Sequence, residues 1–568
     1  MSTNFKINKN NIGEKITLKG WVKKSRRMGE LIFIDLRNQT GLVQVVVDSA
    51  NENYELANQL RSEYVIEVVG DVVERKNKND KIYSGEVEVI AETITLISAS
   101  EQTPLIIDDV TDALEPVRME YRYLDIRRPV IQEALIFRSK FNRIIREYFY
   151  GNDFTEIETP VITKSSPGGA KELKVLSENH EGKQYALVQS PQVYKQLLMY
   201  GGINKYFQIA KCFRDEDSRS DRQLEFTQLD LEIAFADEKE IQAHIETLVK
   251  KLFKDLKEVD LPEEFPRMSY EQAMVEYGSD KPDTRFENKL FNLTEDLKST
   301  EINFISSGIN EGKEVISVAF EQDISNGEFK KLEEEVKMQG ASGLAWARIE
   351  NNEVVKGSLK LLTAEEIASI KNKANFENFT VFMVIDENKK ASEIVGRLRV
   401  KLADNFEMLD NEQFNILWVT DWPMFEENSQ GQLDSVHNPF SAPVADDKEK
   451  LMTLSTDNKE ELLKIMTRGY DLVLNGSEIG GGAIRINDVE MQNKVFSVLG
   501  MSEQEVEDNF GWFLKSQKFG IPYHGGIALG LDRVLSIMLN RDSIRDVIAF
   551  PKSTSGADDM TKAPTRID

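Results

Sequence analysis

Residues 205–237 read KYFQIAKCFR (205–214), DEDSRSDRQLE (215–225) and FTQLDLEIAFAD (226–237). The outer segments have strand length and are rich in aromatic and β-branched residues, whereas the middle is polar and turn-like. The pattern predicts two antiparallel strands joined by a long loop. Charge sits where a strand should be apolar: Arg214 closes the first segment, Glu216 follows two positions on, and Asp230 and Glu232 occupy alternate positions in the second. Alternation places Gln228, Asp230 and Glu232 on one face and Leu229, Leu231 and Ile233 on the other. One face then packs on a core while the other forms a polar, charged floor for a ligand. A lone hairpin with solvated charges is commonplace, so the reading turns on what accompanies this one.

Two distant stretches do. Gly525–Arg533 reads GGIALGLDR and runs into VLSIML, a glycine-rich strand turning into a helix whose first turn carries an arginine. Ser477–Arg485 reads SEIGGGAIR. With these two companions, the hairpin resembles motifs two and three of the class II aminoacyl-tRNA synthetases, and CFRDEDSRSDRQLEFTQLD (212–230) is close to the bacterial aspartyl-tRNA synthetase version.

At 568 residues the chain exceeds a single core and predicts several domains. It has no apolar run of 18 residues and no basic, apolar-cored leader, so a membrane span or secretion is not expected. A single cysteine, Cys212, excludes an intrachain disulfide framework and suits a reducing, cytoplasmic setting. With only His180, His244, His437 and His524 beside it, and no close pairing among them, a zinc site is not expected. The net charge of −26 argues against polyanion binding by the whole surface. Nucleic acid would have to meet a local basic patch, and residues 1–30 supply one with Lys6, Lys9, Lys15, Lys19, Lys23, Lys24, Arg26 and Arg27 against Glu14 and Glu30.

The first hundred residues read as five short strands with a helical stretch near Tyr54 to Arg61, a small closed barrel of the oligonucleotide-binding (OB) type over residues 1–104. Lys24, Arg26, Phe33 and Gln44 are expected to share its binding side. Cations there hold phosphates, an aromatic face accepts a splayed base and an amide reads a base edge. The resemblance implies that this barrel grips the anticodon. Residues 105–132 turn irregular and read as a hinge or linker. A helix follows from Glu133 to Tyr150, with Phe137, Phe141, Ile144, Ile145 and Tyr148 at helical spacing. With the strand after it, this helix resembles motif one, which implies a homodimer. Residues 133–284 and 416–568 are expected to form the two parts of a class II catalytic domain built on an antiparallel sheet. Between them, residues 285–415 read as an α+β insertion without an obvious catalytic constellation, resembling the extra domain of bacterial aspartyl-tRNA synthetases. The whole is thus an α/β multidomain chain of α+β character.

For the site, TKSSPGGAKEL (163–173) reads as a flexible loop. QYALVQSPQVYKQLLM (184–199) passes from strand to helix, with Gln192 and Lys195 one turn apart on one face. The resemblance implies activation of L-aspartate by ATP with Mg²⁺, then transfer to the terminal ribose of tRNA(Asp). In the first step charge on the α-phosphate must be neutralised, and guanidiniums suit this because they stay charged and match phosphate geometry. By that resemblance Arg214 serves the α-phosphate and Arg533 the γ-phosphate of bent ATP. Phe226 stacks on adenine, Asp215, Glu216 and Gln223 hold the nucleotide, and Gly530, Leu531 and Asp532 complete its site. Asp471 and Glu478 are expected to be the Mg²⁺ carboxylates. Gln192, Lys195, Arg214, Asp230, His437 and Arg485 are expected to line the amino-acid pocket, with Arg485 re-entering it beyond a GGG turn. Two positions depart from the bacterial pattern: Gly168 stands where the family generally has Glu, and Asn438 replaces the second of two usual histidines. Glu172, four residues after Gly168, is placed to compensate.

Three functions are open to the sequence. They are an active aspartate–tRNA ligase, a paralogue with a remodelled amino-acid pocket, and a tRNA-binding protein without catalysis. Retention of Arg214, Glu478 and Arg533 argues against the last. On the first, Phe33→Ala is expected to raise KM for tRNA by losing one base-stacking contact worth roughly 1–3 kcal/mol. Adenylate formation should be untouched; unimpaired tRNA affinity in a filter-binding assay would return Phe33 to the barrel core.

Overall fold

The computed structural model describes residues 5–165 and 170–566. The chain divides into two compact units, residues 1–133 with 558–568, and residues 134–557.

In the first unit, strands β1 (Lys15–Met28), β2 (Leu31–Asn38), β3 (Gly41–Asp48), β4 (Val65–Glu74) and β5 (Val87–Ser98) close a barrel in the order β1-β2-β3-β5-β4. Helix α1 (Tyr54–Gln59) lies between β3 and β4. Alternation drives closure: Ile32, Ile34 and Leu36 of β2 and Val43, Val45 and Val47 of β3 point inward and pack with Leu18, Val22, Ile66 and Val68. The 14-residue β1 serves two neighbours, pairing with β4 over its first half and with β2 over its second. That bend needs Gly20, where a Cβ would stand 2.3 Å from the carbonyl oxygen of Arg37.

Residues 105–132, expected to be a linker, are ordered into the same unit. Helices α2 (Glu115–Glu120) and α3 (Arg122–Asp125) fold around Asp125, whose side chain is wholly buried. It accepts from Arg118 Nε at 3.1 Å and Arg128 Nη1 at 2.7 Å, and pairs with Arg122. Glu63, at the barrel, takes Arg37 Nη1 at 2.8 Å on one oxygen and Arg127 Nη1 at 2.9 Å on the other, so the segment is latched to the barrel by charge. The chain's last turn joins this unit, with Lys562 Nζ 3.2 Å from Glu120 Oε1.

Helix α4 (Pro129–Tyr150) begins at the end of the first unit's residues and runs into the second, four residues earlier than the spacing predicted, with Pro129 at its first position. Helix α5 (Gln192–Tyr200) precedes the hairpin, β6 (Lys205–Phe213) and β7 (Glu225–Ala234), and α6 (Glu238–Lys257) and α7 (Tyr270–Tyr277) follow it. An eight-stranded sheet runs Arg267–Ser269, Ile416–Thr420, β8 (Gly469–Leu474), β9 (Ser477–Ile484), β10 (His524–Gly530), β7, β6 and Thr155–Glu156. It is antiparallel except at its two edges. Its back face carries Leu229, Leu231, Ile233, Leu472, Ile527 and Leu529. These pack on Phe141, Ile145 and Phe149 of α4, on Ile241, Ile245 and Leu248 of α6, and on Leu535 of α9 (Leu531–Met538). Each such side chain removed from water contributes roughly 1.5–3 kcal/mol. The front face is different. Gln228, Asp230 and Glu232 stand opposite Gly530, Ala528 and Gly526, and the rows continue through Gly481 and Ala483 to Asp471 and Gly469.

The three glycines 480–482, expected to make a turn, lie inside β9. They are needed for approach: a Cβ at Gly482 would be 2.3 Å from Gly526 O, and one at Gly480 2.2 Å from Leu529 Cδ2.

Between the two parts of this sheet stands a separate five-stranded antiparallel sheet, ordered Phe291–Asn292, Glu314–Phe320, Phe379–Asp386, Ala345–Glu350, Glu353–Gly357. Helix α8 (Asn388–Asn405) packs on one side through Ile394, Leu398 and Leu402. Helices Asn326–Met338 and Ala364–Ala374, which the sequence reading did not place, each begin with a reciprocal cap, Ser325 with Glu328 and Thr363 with Glu366.

Asp125 yields a stability prediction. Burial works against its charge, but hydrogen bonds from Arg118 and Arg128 outweigh it and hold the carboxyl below the ordinary range. A depressed folded-state pKa contributes stability that is present above the unfolded value of about 3.9 and is lost as pH falls through the folded one. Asp125→Asn leaves the surrounding guanidiniums without their shared anion, and is expected to cost about 3–5 kcal/mol. Thermal unfolding of the first unit at neutral pH measures this; an unchanged Tm would refute it.

Candidate active site

Four ionisable side chains meet on the floor. Helix α5 brings Lys195 down onto β7, with Nζ 3.1 Å from Asp230 Oδ1, 3.4 Å from Leu231 O and 3.4 Å from Glu232 Oε2. Arg485, just past the end of β9, sets Nε 3.0 Å from Glu232 Oε1 and Nη2 3.4 Å from Gly526 O. None of the four is more than 2% exposed. Two cations and two carboxylates balance, as burial of charge requires. Glu232, on the same face as Asp230 by alternation, joins the two cations. Burial pushes the Asp230 carboxyl up more than Lys195 draws it down, whereas at Glu232 burial is outweighed by Arg485 and Lys195 and the carboxyl is held low. The network is not saturated. Asp230 Oδ2, Arg485 Nη1 and Gln192 Nε2 are buried without a hydrogen-bond partner among the described residues. That leaves one acceptor and two donors for a zwitterionic, acidic ligand to satisfy.

Beyond Asp230 the floor opens toward the β6–β7 loop. The Arg214 guanidinium lies 5.1 Å from the centre of the Phe226 ring, and its Nε is buried and unpartnered. Glu216 pairs with Arg222 at 3.1 Å. Gln223 accepts from the backbone N–H of Lys552 at 2.8 Å. Arg533 donates to Glu478 O through Nη1 and reaches Asp221 Oδ2 at 3.3 Å through Nη2. Gly530 borders the cavity with no atom closer than 4.0 Å to where a Cβ would be. Three further expected nucleotide residues have partners of their own, and of these Asp532 borders the cavity. Asp215 pairs with Lys171 at 2.6 Å, and the Leu531 side chain belongs to the back-face core. Asp532 accepts from Thr227 N at 2.8 Å on one oxygen and from Arg138 on the other, tying α9 to β7 and α4.

Asp471 and Glu478 flank Gly481, where a Cβ would lie 2.6 Å from Asp471 Oδ1 and 3.6 Å from Glu478 Oε1. Burial and the neighbouring Asp471 charge raise Glu478, with Arg533 and Lys281 opposing. Two carboxylates held this close, one of them reluctant to ionise, fit a divalent cation that completes its shell with phosphate oxygens. His437, expected in the amino-acid pocket, sets Nε2 3.1 Å from Asp471 Oδ1, and its ring stands edge-on to Trp422 at 4.7 Å. Its Nδ1 is buried and unpartnered. Asn438 accepts from Phe440 N at 3.0 Å, so its amide oxygen shapes the local turn. Gly168 lies outside the described residues, while Glu172 borders the cavity and accepts from the Ser165 hydroxyl. These walls enclose a cleft of about 2080 Å³, larger than the roughly 300–1,000 Å³ that holds a typical small ligand.

On the barrel, Lys24, Asp35 and Gln44 stand in one outward row, and Arg26, Phe33 and Val46 in the next. Phe33 is half-buried and Arg26 meets Asp35 at 3.1 Å. Gln44 is buried, its amide donating to Glu88 at 2.7 Å and accepting from Arg75 at 2.9 Å, so it braces the strands.

Comparison with known proteins fits this geometry. Residues 114–554 match the family described as tRNA synthetases class II (D, K and N), and residues 16–97 match the OB-fold nucleic acid binding domain. The aspartate–tRNA ligase of Oceanobacillus iheyensis is 42% identical over 571 positions, covering 99% of this chain and 95% of that one. The aspartate–tRNA(Asp/Asn) ligase of a Hydrogenobaculum species is 43% identical over 564 positions, covering 97% and 95%. Among solved structures, asparaginyl-tRNA synthetase from Pyrococcus horikoshii with asparaginyl-adenylate superposes with a TM-score of 0.59 at 19% identity, covering 96% of each chain. A barrel of the oligonucleotide-binding type, an antiparallel sheet with a charged front face, and a family match over most of the length agree: the chain belongs to the class II tRNA synthetases.

Proposed function

We propose that this enzyme joins L-aspartate to tRNA(Asp) in two steps within the one cleft. In the first, an oxygen of the aspartate α-carboxylate bonds to the α-phosphorus of ATP, the bond to the β-phosphate oxygen breaks, and pyrophosphate leaves. In the second, a hydroxyl of the terminal tRNA ribose attacks the aspartyl carbonyl and AMP leaves. The observation that carries this reading is the buried Lys195–Asp230–Glu232–Arg485 network with its unpartnered Asp230 Oδ2 and Arg485 Nη1.

Within it, Lys195 and Arg485 serve the side-chain carboxylate, with Arg485 Nη1 as the free donor. Asp230 serves the ammonium through Oδ2 while Oδ1 holds Lys195. Gln192 adds an amide donor at the pocket's edge. Arg214 faces the α-phosphate and Arg533 the far end of the triphosphate, with Phe226 as the platform for adenine. Asp471 and Glu478 would hold Mg²⁺, which when bound neutralises phosphate charge. Full-length relatives at 42–43% identity bear aspartate–tRNA ligase names, which favours this substrate over a remodelled pocket. Names among these relatives divide between tRNA(Asp) and tRNA(Asp/Asn); the anticodon partner follows from charging both purified tRNAs. One cysteine and no membrane-crossing helix among the described residues accord with a cytoplasmic site of work.

The enzyme is a homodimer in this reading. One face of α4 forms a groove lined by Leu135, Arg138, Ser139, Asn142 and Arg146, where Asn142 Oδ1 is buried and unpartnered, and Ile136 and Tyr150 stand exposed nearby. Sedimentation at micromolar concentration is expected to give twice the chain mass; a strictly monomeric species would reject the dimer.

Aspartate-dependent ATP–pyrophosphate exchange and aspartylation of tRNA test the function, and absence of both in folded protein would refute it. Lys195→Met leaves two buried carboxylates with one cation. It is expected to lower kcat/KM for aspartate by at least about 100-fold, the equivalent of roughly 3 kcal/mol. ATP binding by equilibrium dialysis should not change. An unaltered aspartate KM would remove the network from the amino-acid site.

A further inference from the structure

The loop Gly278–Asp283, reading GSDKPD, lies between α7 and the inserted sheet, and no step above uses it. It is held at both ends. Gly278, at φ 61, closes α7 so tightly on α8 that a Cβ would stand 2.0 Å from Ser392 O, and a Cβ at Gly396 of α8 is already 2.5 Å from Tyr277 O and 2.6 Å from Gly278 O. At the other end Arg399 of α8, 1% exposed, donates to Asp283 O at 3.0 Å, to Phe286 O at 3.1 Å and to Asn288 O, with Phe286 and Tyr277 rings 3.8 and 4.8 Å from its guanidinium. No carboxylate pairs with Arg399 among the described residues. Its three backbone acceptors make it a clamp on carbonyls, and desolvation, opposed by the Tyr277 and Asp283 charges, lowers it to about 10.

The same loop touches the carboxylates of the cleft. Asp283 packs on Gly476, where a Cβ would be 3.0 Å from Asp283 Cβ, and Gly476 lies in the turn joining β8, which carries Asp471, to β9, which carries Glu478. Asp283 is kept in place by Arg285 at 2.7 Å. Asp280 and Lys281 therefore border the cavity beside Glu478, and Lys281, about half exposed, is restrained only loosely by Asp280 at 3.7 Å. Lys281 borders the same cavity as Glu478 and Arg533 and its charge acts on Glu478, so it adds a cation where the phosphates of the nucleotide are proposed to lie.

We propose that Lys281 binds the phosphates that depart as pyrophosphate, and that helix α8 of the inserted sheet is the mount that holds its loop. Lys281 thereby touches substrate, whereas Gly396 and Arg399 are positioning residues. The proposal rests on the activation reaction given above and assigns the insertion a part in it.

The test is ATP–pyrophosphate exchange with full-length enzyme. Lys281→Met is expected to raise KM for ATP about tenfold, the size of one lost charge-assisted hydrogen bond, with KM for aspartate within about twofold of the parent. Lys281→Arg is expected to restore most of the ATP affinity. Gly396→Ala, which must displace the Tyr277–Gly278 backbone, should raise KM for ATP alone but add less than about twofold beside Lys281→Met. An ATP KM unchanged in Lys281→Met overturns the phosphate contact, and so does an equal rise in both substrate constants. Full additivity of the two changes overturns the mount. A parent without aspartate-dependent exchange overturns both this and the proposed function, whereas an active parent with an indifferent Lys281 overturns this alone.

Discussion

The structure depends on keeping four charges dry. Lys195, Asp230, Glu232 and Arg485 arrive from a helix, a strand and the end of another strand, and each is at most 2% exposed. Such a set is tolerable only when geometry is fixed to a few tenths of an ångström, because a carboxylate left without its cation costs more than the pair contributes. The apolar back face of the sheet provides the fixing: the strand that presents Asp230 and Glu232 upward presents Leu229, Leu231 and Ile233 downward. In the proposed function selectivity would follow from the same constraint: asparagine would offer no charge to Lys195 and Arg485, a loss on the order of 1.5–3 kcal/mol per charged hydrogen bond, which suits discrimination without a second, editing site.

Room on the floor is a second constraint, set by absent side chains. Gly526, Ala528 and Gly530 face the charged row, and Gly481 lies between Asp471 and Glu478. At Gly526 a Cβ would stand 2.0 Å from Glu232 Oε2, so glycine there is a condition of the network itself. The charged residues and the small ones are two halves of one surface, one supplying interaction and the other clearance.

Much of this was legible in the sequence because period two is unambiguous on a strand. Gln228, Asp230 and Glu232 share a face as alternation requires, and Lys24, Arg26 and Phe33 line the outside of a five-stranded barrel. What the sequence hid was competition among partners. Nothing in the run GLDR tells that Asp532 is claimed by Arg138 and Thr227, or that Asp215 turns to Lys171. Nor does it show that Gln44 is braced by Glu88 and Arg75, since each partner is remote in the chain. The glycines 480–482 suggested a turn because glycine is common in turns, yet here close strand approach selects it. The ordering of residues 105–132 around Asp125 was missed because irregular composition conceals a fold that rests on buried ion pairs.

The barrel's unit contains residues 1–133 and also 558–566, with Lys562 beside Glu120. In chain order the whole catalytic unit is therefore interposed between two parts of the other. Residues 5–133 precede the catalytic unit in synthesis, but the pairing of Lys562 with Glu120 can form only after residues 134–557 have been translated. The unit that carries the barrel is thus completed only after the catalytic unit interrupting it in the chain has been made.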